Sequence, residues 1–518
     1  MHVVDIAVIA VYLITLVTIG LRFAGKQTTT DRYFVAGRSI PGWATGLSLL
    51  ATIITSVTFI AYPGAAYSSD WTLLVPGIMF VVVIAALGPV IVPFFRHIVT
   101  MSAYEYFGKR FGPGVRMYAS FAFATGHFAK MGFVFYLLAL SVSGITGWSI
   151  AWIIIGLGII TIFYTFLGGL RGVIWTDVAQ GFVLWMSVAV TIALLLFFSH
   201  AGAGNMIRLI VSHHKMGLGG FNFNLAKPTF WTMAVYGLFF YLQKYTADQT
   251  VVQRYLAAKS DQSSLRGMMM GASLCLPIWT AFMFIGSLLW AFYRLTGETL
   301  PAAITRPDQV FPHYMVTHMP LGVGGLFLAA LFGAAMSMLA SDLNCLGLIL
   351  VEDFYGHFFP RKTDVERLRF GYLSIVLCGG LAIAVALRLS TTQGSALALY
   401  YTATAIVAGG LAGLFLLAFL CGRAGRFAAI LGIAVSLLFT AWATLTLNGG
   451  KILNLHRYNY PWHEYTIGAI GNLLLLFVGL LVALFSPAVA KTSSCLTLWD
   501  WLALRRQARL HPILQEHP

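Results

Sequence analysis

Six ionisable side chains stand inside stretches that otherwise read as lipid-soluble: His127, Lys130, Asp177, Lys244, Asp248 and Asp342. A charge in hydrocarbon is costly, so such residues face a protein interior or a watery cavity and mark ion or solute paths. Lys130 follows His127 by one helical turn, so the two share a face. His127 reads first as a satisfied core histidine. Lys130 either holds a solute's acid group or is a structural lysine paired with a carboxylate or carbonyls. In GAAMSMLASDLN, residues 333–344, Ala334, Ser337 and Ser341 recur at i, i+3 and i+7 and also share a face. Sodium is a small hard cation that takes oxygen ligands, which two hydroxyls and nearby carbonyls supply. The competing reading is a seam of small residues for close helix packing. Asp177 is either the charged partner of a second cation or a carboxylate paired with an Arg or Lys at the membrane edge.

Those groups need irregular helices around them. Residues 42–62, GWATGLSLLATIITSVTFIAY, carry Thr45, Ser48, Thr52, Thr55, Ser56 and Thr58 and run into Pro63-Gly64. Such a stretch suits a helix that unwinds against a cavity, with a break expected at the Pro-Gly pair. Irregular backbone is tolerated in a bilayer only where protein or water satisfies it. The stretch 230–249 is irregular too, with Gly237, Gln243, Lys244, Thr246, Asp248 and Gln249. Five spans separate the starts of these two, so the halves they open have opposite orientations. Paired interrupted helices in inverted halves point to a secondary transporter's midplane site.

The composition accommodates nothing but a membrane domain. Hydrophobic residues make up 59% and charged residues 9% of the 518, against roughly a quarter charged in a soluble chain. The expected architecture is all-α, with about thirteen spans: 4–22, 42–62, 73–95, 116–144, 149–167, 174–199, 230–249, 268–295, 321–352, 369–388, 396–421, 426–446 and 466–487. Residues 1–490 form the membrane domain, with core repeats over about 42–199 and 230–421, and 491–518 form a short tail. The first span reads as a retained helix. The loop 200–229 has no regular pattern. Of the 32 Lys and Arg, 22 fall in one set of loops, eight in the other, and Lys130 and Lys244 within spans. Positive loops favour the cytoplasm, which puts the N-terminus outside and the C-terminus inside. The net charge of +15 is therefore topology rather than a nucleic-acid footprint.

Over 1–490 the chain resembles the sodium:solute symporter family. The residues that carry the likeness are YFVAGRSIPGWATGLSLLAT (33–52), AYSSDW (66–71), SAYEYFGKRFG (102–112), GGLRGVIWTDVAQG (168–181), DQTVVQRYLAAKS (248–260), AAMSMLASDLN (334–344) and VEDFYG (351–356). Within the family it looks most like bacterial sialic acid symporters. The resemblance implies a five-plus-five inverted-repeat core, with sodium held by the carbonyls of Ala51, Ile54 and Ala334 and the hydroxyl of Ser337. Position 338, where a second hydroxyl belongs, is methionine, a poor ligand for sodium. A second ion site implied by some members matches at Asp177, Ser337 and Ser341, but position 340 is alanine. With both sites thinned, Asp177 and Ser341 are expected to carry more of the ion binding, and Asp342 either joins that site or takes a proton. For the solute, Lys130 stands where sialic acid symporters place a carboxylate-gripping arginine. Lysine keeps the charge but lacks the planar fork. Their substrate hydroxyls map to Ile53, Thr55 and Thr58, and a glutamine maps to Gly77. Thr55, Ser56, Thr58, Phe59, His127, Lys130 and Gln243 make up the candidate solute surface.

The function expected is uptake of a small organic solute, an anion such as a sialic acid or another carboxylate, coupled to sodium, across the bacterial inner membrane. Sodium enters as coupling ion, no other cofactor is implied, and the partners are the solute, the ion and the lipid bilayer. Alternatives are proton-coupled symport of a sugar or other small solute, and a solute sensor acting with a separate partner. No nucleophile–base pair, metal spacing or phosphate-binding glycine loop supports an enzyme. The charge bias makes a first prediction: a reporter fused after Pro518 is active only on the cytoplasmic side, and activity confined to the outer side refutes the thirteen-span topology.

Overall fold

The computed structural model describes residues 2–25, 27–302, 304–391, 409–447, 452–486 and 496–510. After α1 (Val3–Arg22) and the short α2 (Thr30–Val35) come α3 (Gly42–Ile53), α4 (Ser56–Ser68), α5 (Val75–Ile98), α6 (Glu105–Phe111), α7 (Pro113–Thr146) and α8 (Ile150–Phe197). The chain continues through α9 (Ala203–Ser212), α10 (Phe230–Ala247), α11 (Gln249–Ala257), α12 (Asp261–Thr296), α13 (Val310–Thr317), α14 (Val323–Ile349) and α15 (Gly356–Phe358). It ends with α16 (Asp364–Thr391), α17 (Leu411–Leu420), α18 (Arg426–Leu445), α19 (Tyr465–Phe485) and α20 (Leu498–Leu510). Among the described residues, nine helices are long and apolar enough to cross a membrane, or ten with the bent pair α3–α4 taken as one span. The span expected over 396–421 lies partly outside the described residues, with α17 its described end.

α8 spans 48 residues. At 1.5 Å per residue that is about 72 Å, more than twice the roughly 30 Å of bilayer hydrocarbon. Its backbone leaves helical geometry at Gly169 (φ 53°, ψ −159°), which separates two arms. Only glycine fits there, because a Cβ would lie 2.8 Å from the carbonyl oxygen of Tyr33. The arms correspond to the spans 149–167 and 174–199.

The first interrupted helix breaks earlier than its sequence suggests. α3 ends at Ile53, Ile54 is extended (φ −82°, ψ 103°), and α4 restarts at Ser56, bent by 61°. Thr55 caps the restart by accepting a hydrogen bond from the Thr58 backbone N–H at 3.4 Å. Pro63, the expected breaker, lies inside α4. The second interruption also differs from the stretch 230–249: α10 stops at Ala247, Asp248 is extended, and α11 carries the helix on to Ala257. Residues 40 and 258 pair as an isolated bridge. There Ile40 donates to the Ala257 carbonyl at 3.1 Å and Lys259 to the Ile40 carbonyl at 3.1 Å. The chain entering α3 is thereby tied to the chain leaving α11.

Two elements hold the broken helices in place. α14 is buried almost throughout, including Ser337, Ser341 and Asp342, so its polar residues face protein rather than lipid. α12 packs along α3 and α4 through glycine. A Cβ on Gly267 would lie 2.2 Å from the Gly42 carbonyl oxygen, and one on Gly271 2.4 Å from that of Gly46. Small residues let helix backbones meet in a membrane, where packing rather than hydrophobicity drives association. The loop 200–229, expected to be irregular, contains α9, and beyond it Lys215 donates to the carbonyls of Tyr67 and Ser69 at the end of α4. α20 docks by burying Trp501 against Phe94 at 5.8 Å between ring centres. The α3–α12 contact makes a second prediction. Gly267→Ala or Gly271→Ala overpacks it, at a cost of about 1–3 kcal/mol. The melting temperature of the purified protein then falls, whereas Gly204→Ala, with open space around its Cβ position, leaves it unchanged. Equal melting of all three variants and wild type refutes the tight crossing.

Candidate ion and solute site

The breaks expose backbone and place two separate polar clusters between the broken helices and α14. A helix end leaves its last four carbonyls without intrahelical partners, so the stop at Ile53 frees oxygens of α3 around Ala51 and Ile54. Ala334 lies within the unbroken α14, and its carbonyl has one lone pair to spare. Ser337 is fully buried and donates its hydroxyl to Asp177 Oδ1 at 2.5 Å. A hydroxyl that donates to a carboxylate keeps its lone pairs for a cation. Met338 is buried beside it and supplies no hard ligand.

The first cluster is an ion pair wholly out of water. Arg254, from α11, places Nη2 3.1 Å from Asp177 Oδ2, and both side chains are fully buried. The same guanidinium donates to Ser341 Oγ at 2.5 Å, to Ser48 Oγ at 3.0 Å and to the Thr250 carbonyl. Ser48 in turn donates to Asp177 Oδ2 at 2.5 Å. Four elements, α3, α8, α11 and α14, thus meet on one salt bridge. Of the two readings of Asp177, pairing with an arginine is the one the structure contains, although deep in the protein rather than at its edge. Asp177 and Ser341 both contact the Arg254 guanidinium. In the sequence, Arg254 falls between the expected spans 230–249 and 268–295, where it reads as a loop charge. The signal available was the i, i+4 spacing of Thr250 and Arg254 after Asp248, an acidic N-cap.

The second cluster gathers around Asp342, which stands apart from the ion pocket to which it was a candidate. Asp342 Oδ1 meets His127 Nδ1 at 2.7 Å, and Asp342 Oδ2 lies 3.1 Å from Lys130 Nζ. The other nitrogen of His127 is 3.2 Å from Asp248 Oδ2, which also accepts from Lys244 at 2.5 Å. Asp248 Oδ1 caps α11 by accepting from the Thr250 N–H at 2.9 Å. His127 is thus a satisfied histidine between two carboxylates, with its ring stacked on Phe123 at 3.8 Å. Lys130 has a carboxylate partner, yet 34% of its side chain stays exposed.

The remaining candidates divide. Thr55, Thr58 and Gln243 are half-buried near the breaks. Ser56 is buried, and its hydroxyl has no hydrogen-bond partner among the described residues. It lines a cavity of about 350 Å³ with Ser141, Arg306 and His313. Phe59 does not join a solute surface. It is fully buried in an aromatic cluster, 4.7 Å from Phe282 and 5.2 Å from Phe327.

Residues 33–436 match the profile of the sodium:solute symporter family. The chain belongs to that family. Among its relatives is the sodium/sialic acid symporter NanT of Aliivibrio fischeri, 32% identical over 476 residues and covered over 91% of each protein. Another is the sodium/sialic acid symporter SiaT of Proteus mirabilis, 30% identical over 489 residues, 94% of this chain and 96% of that one. A solved structure of a Na+-coupled sialic acid symporter, in a substrate-bound outward-open state, superposes with a TM-score of 0.87. It is 29% identical and covers 95% of this chain and all of its own. The all-α inverted-repeat fold and a transporter rather than an enzyme are thereby shown. So is membership of a sodium-coupled family.

The Arg254–Asp177 pair carries a third prediction. Removing one partner of a buried ion pair costs about 3–5 kcal/mol, because the other charge is left unpaired. Arg254→Gln therefore lowers the melting temperature sharply, and adding Asp177→Asn restores part of the loss. A double variant less stable than Arg254→Gln alone refutes the pairing.

Proposed function

We propose that this sodium:solute symporter takes up a carboxylate solute of the sialic-acid type, driven by sodium entering with it. The observation that carries the reading is Lys130: a part-exposed ammonium inside the membrane domain, beside the broken helices, in a chain matched nearly end to end by two sodium/sialic acid symporters. Thr55, Thr58, Gln243 and Lys130 line the solute's seat. Sodium is held by the carbonyls of Ala51, Ile54 and Ala334 and by Ser337. Asp177 acts on it indirectly, by orienting the Ser337 hydroxyl while Arg254 neutralises the carboxylate. Inverted halves rocking about a midplane site give alternating access. Proton coupling is the second reading, favoured by the buried His127, Asp248 and Asp342.

The fourth prediction tests the ion. Sodium bound without a ligand at Met338 binds weakly, so Met338→Ser supplies the missing hard oxygen and lowers the sodium concentration for half-maximal uptake. The measurement is uptake of radiolabelled N-acetylneuraminate into proteoliposomes against sodium concentration, at two fixed pH values, for wild type and variant. Uptake that persists without sodium and rises as external pH falls refutes sodium coupling and leaves the family assignment intact.

A further inference from the structure

Two carboxylates meet one imidazole inside the membrane domain, and the contacts can be counted in protons. His127 Nδ1 lies 2.7 Å from Asp342 Oδ1, and Nε2 lies 3.2 Å from Asp248 Oδ2. Both separations are hydrogen-bond lengths, and an ionised carboxylate can only accept. Each contact therefore needs a proton on the ring. A neutral imidazole carries one N–H and a lone pair on its other nitrogen. Either neutral tautomer points that lone pair at a carboxylate oxygen, in a buried site where the repulsion is poorly screened.

The neighbours do not remove the difficulty. Lys130 Nζ is 3.3 Å from His127 Nδ1 and 3.4 Å from Asp342 Oδ1, so it flanks that contact without lying on it. Its nearest partner is Asp342 Oδ2, at 3.1 Å. Lys244 takes the other carboxylate, Asp248, at 2.5 Å. Tyr104 and Cys345 also lie near these acids, but each gives its proton elsewhere. Tyr104 donates to the Ala247 carbonyl at 2.9 Å, and Cys345 to Gln253 Oε1 at 3.0 Å. The Phe123 ring stacks on the imidazole at 3.8 Å, and an aromatic face attracts a cation.

We infer that His127 is a proton-binding site, an imidazolium in the solute-free protein that donates to Asp342 and Asp248 together. The assignment concerns occupancy and holds whichever ion drives uptake. The charge count then gives the proton a task, and that task rests on the carboxylate reading above. Lys130 and Lys244 balance Asp248 and Asp342, so the imidazolium leaves the cluster with one net positive charge. An arriving anion neutralises it. With a neutral His127 the same anion would leave one uncompensated negative charge, which is costly at this depth. Solute affinity is therefore full where His127 is charged and falls as rising pH removes its proton.

The first test reads the site without a solute. Nitrogen NMR of the purified full chain, with nitrogen-15 histidine, shows both His127 ring nitrogens protonated near neutral pH. The signal is assigned by its loss in His127→Gln, and independently by Asp342→Asn, which turns it into that of a neutral ring. One unprotonated His127 nitrogen in the wild type overturns the inference. The second test is calorimetric binding of N-acetylneuraminate in saturating sodium at rising pH. Wild-type affinity falls by up to about tenfold per pH unit, the limit for one linked proton. Asp342→Asn lifts the requirement, because its amide donates to Nδ1 while a neutral ring donates to Asp248, and affinity stays level. A wild-type affinity that stays level while the NMR signal shows the proton leaving overturns the role in binding. Failure to bind at every pH overturns the carboxylate reading, while the NMR result still decides the proton site.

Discussion

The buried pair of Arg254 and Asp177 is the constraint on which the rest of the arrangement depends. Neither side chain touches solvent, and two unpaired charges at that depth would each cost several kcal/mol. Their compensation needs more than each other. It takes Ser48 from α3, Ser337 and Ser341 from α14, and the Thr250 carbonyl from α11. An interaction that requires four elements at once fixes their mutual positions. The pair is weak evidence for net stability, since apolar replacements often do as well. What it supplies is register: α14 cannot rotate or slide without stranding a charge.

Breaking the helices is what makes such a centre possible. A continuous helix satisfies its own backbone and offers a neighbour only side chains. By stopping at Ile53 and at Ala247, α3 and α10 free carbonyls and redirect the chain. The restarts are capped by Thr55 and by Asp248. Asp248 also meets His127 and Lys244, so this cap is at the same time part of a polar cluster. The glycine crossing of α12 on α3 then holds the broken half-helix where intrahelical bonds no longer can.

The fold class was legible because hydropathy and charge asymmetry are properties of whole segments. Ser337 and Ser341 were legible because helical spacing alone puts them on one face. The position of the first break was not. Pro63 is the conspicuous breaker, but its missing N–H and its ring are tolerated inside α4, while Thr55 shows its capping role only in the structure. Arg254 was hidden for a different reason. In DQTVVQRYLAAKS a charge after a span resembles a loop residue, and only the tertiary fold carries α11 back into the core. Asp342 was a candidate for the ion site beside Ser341, but one residue turns a helix by about 100°, and its partners Lys130 and His127 sit more than two hundred residues earlier in the chain.

That 100° turn has a mechanical consequence. Ser341 belongs to the ion-pair cluster and Asp342 to the cluster around Lys130, although they are adjacent in one helix. Coupling between two sites is a free energy, and it requires an element whose position both ligands bias. α14 carries residues of both clusters. Ser337 and Ser341 lie on the turn that Asp177 and Arg254 hold. One residue beyond Ser341, the helix carries Asp342, 3.1 Å from Lys130. A rotation of α14 would therefore disturb both clusters together. In a core where α14 is buried almost throughout, such a shift cannot be absorbed by lipid and must pass to the broken helices that flank it.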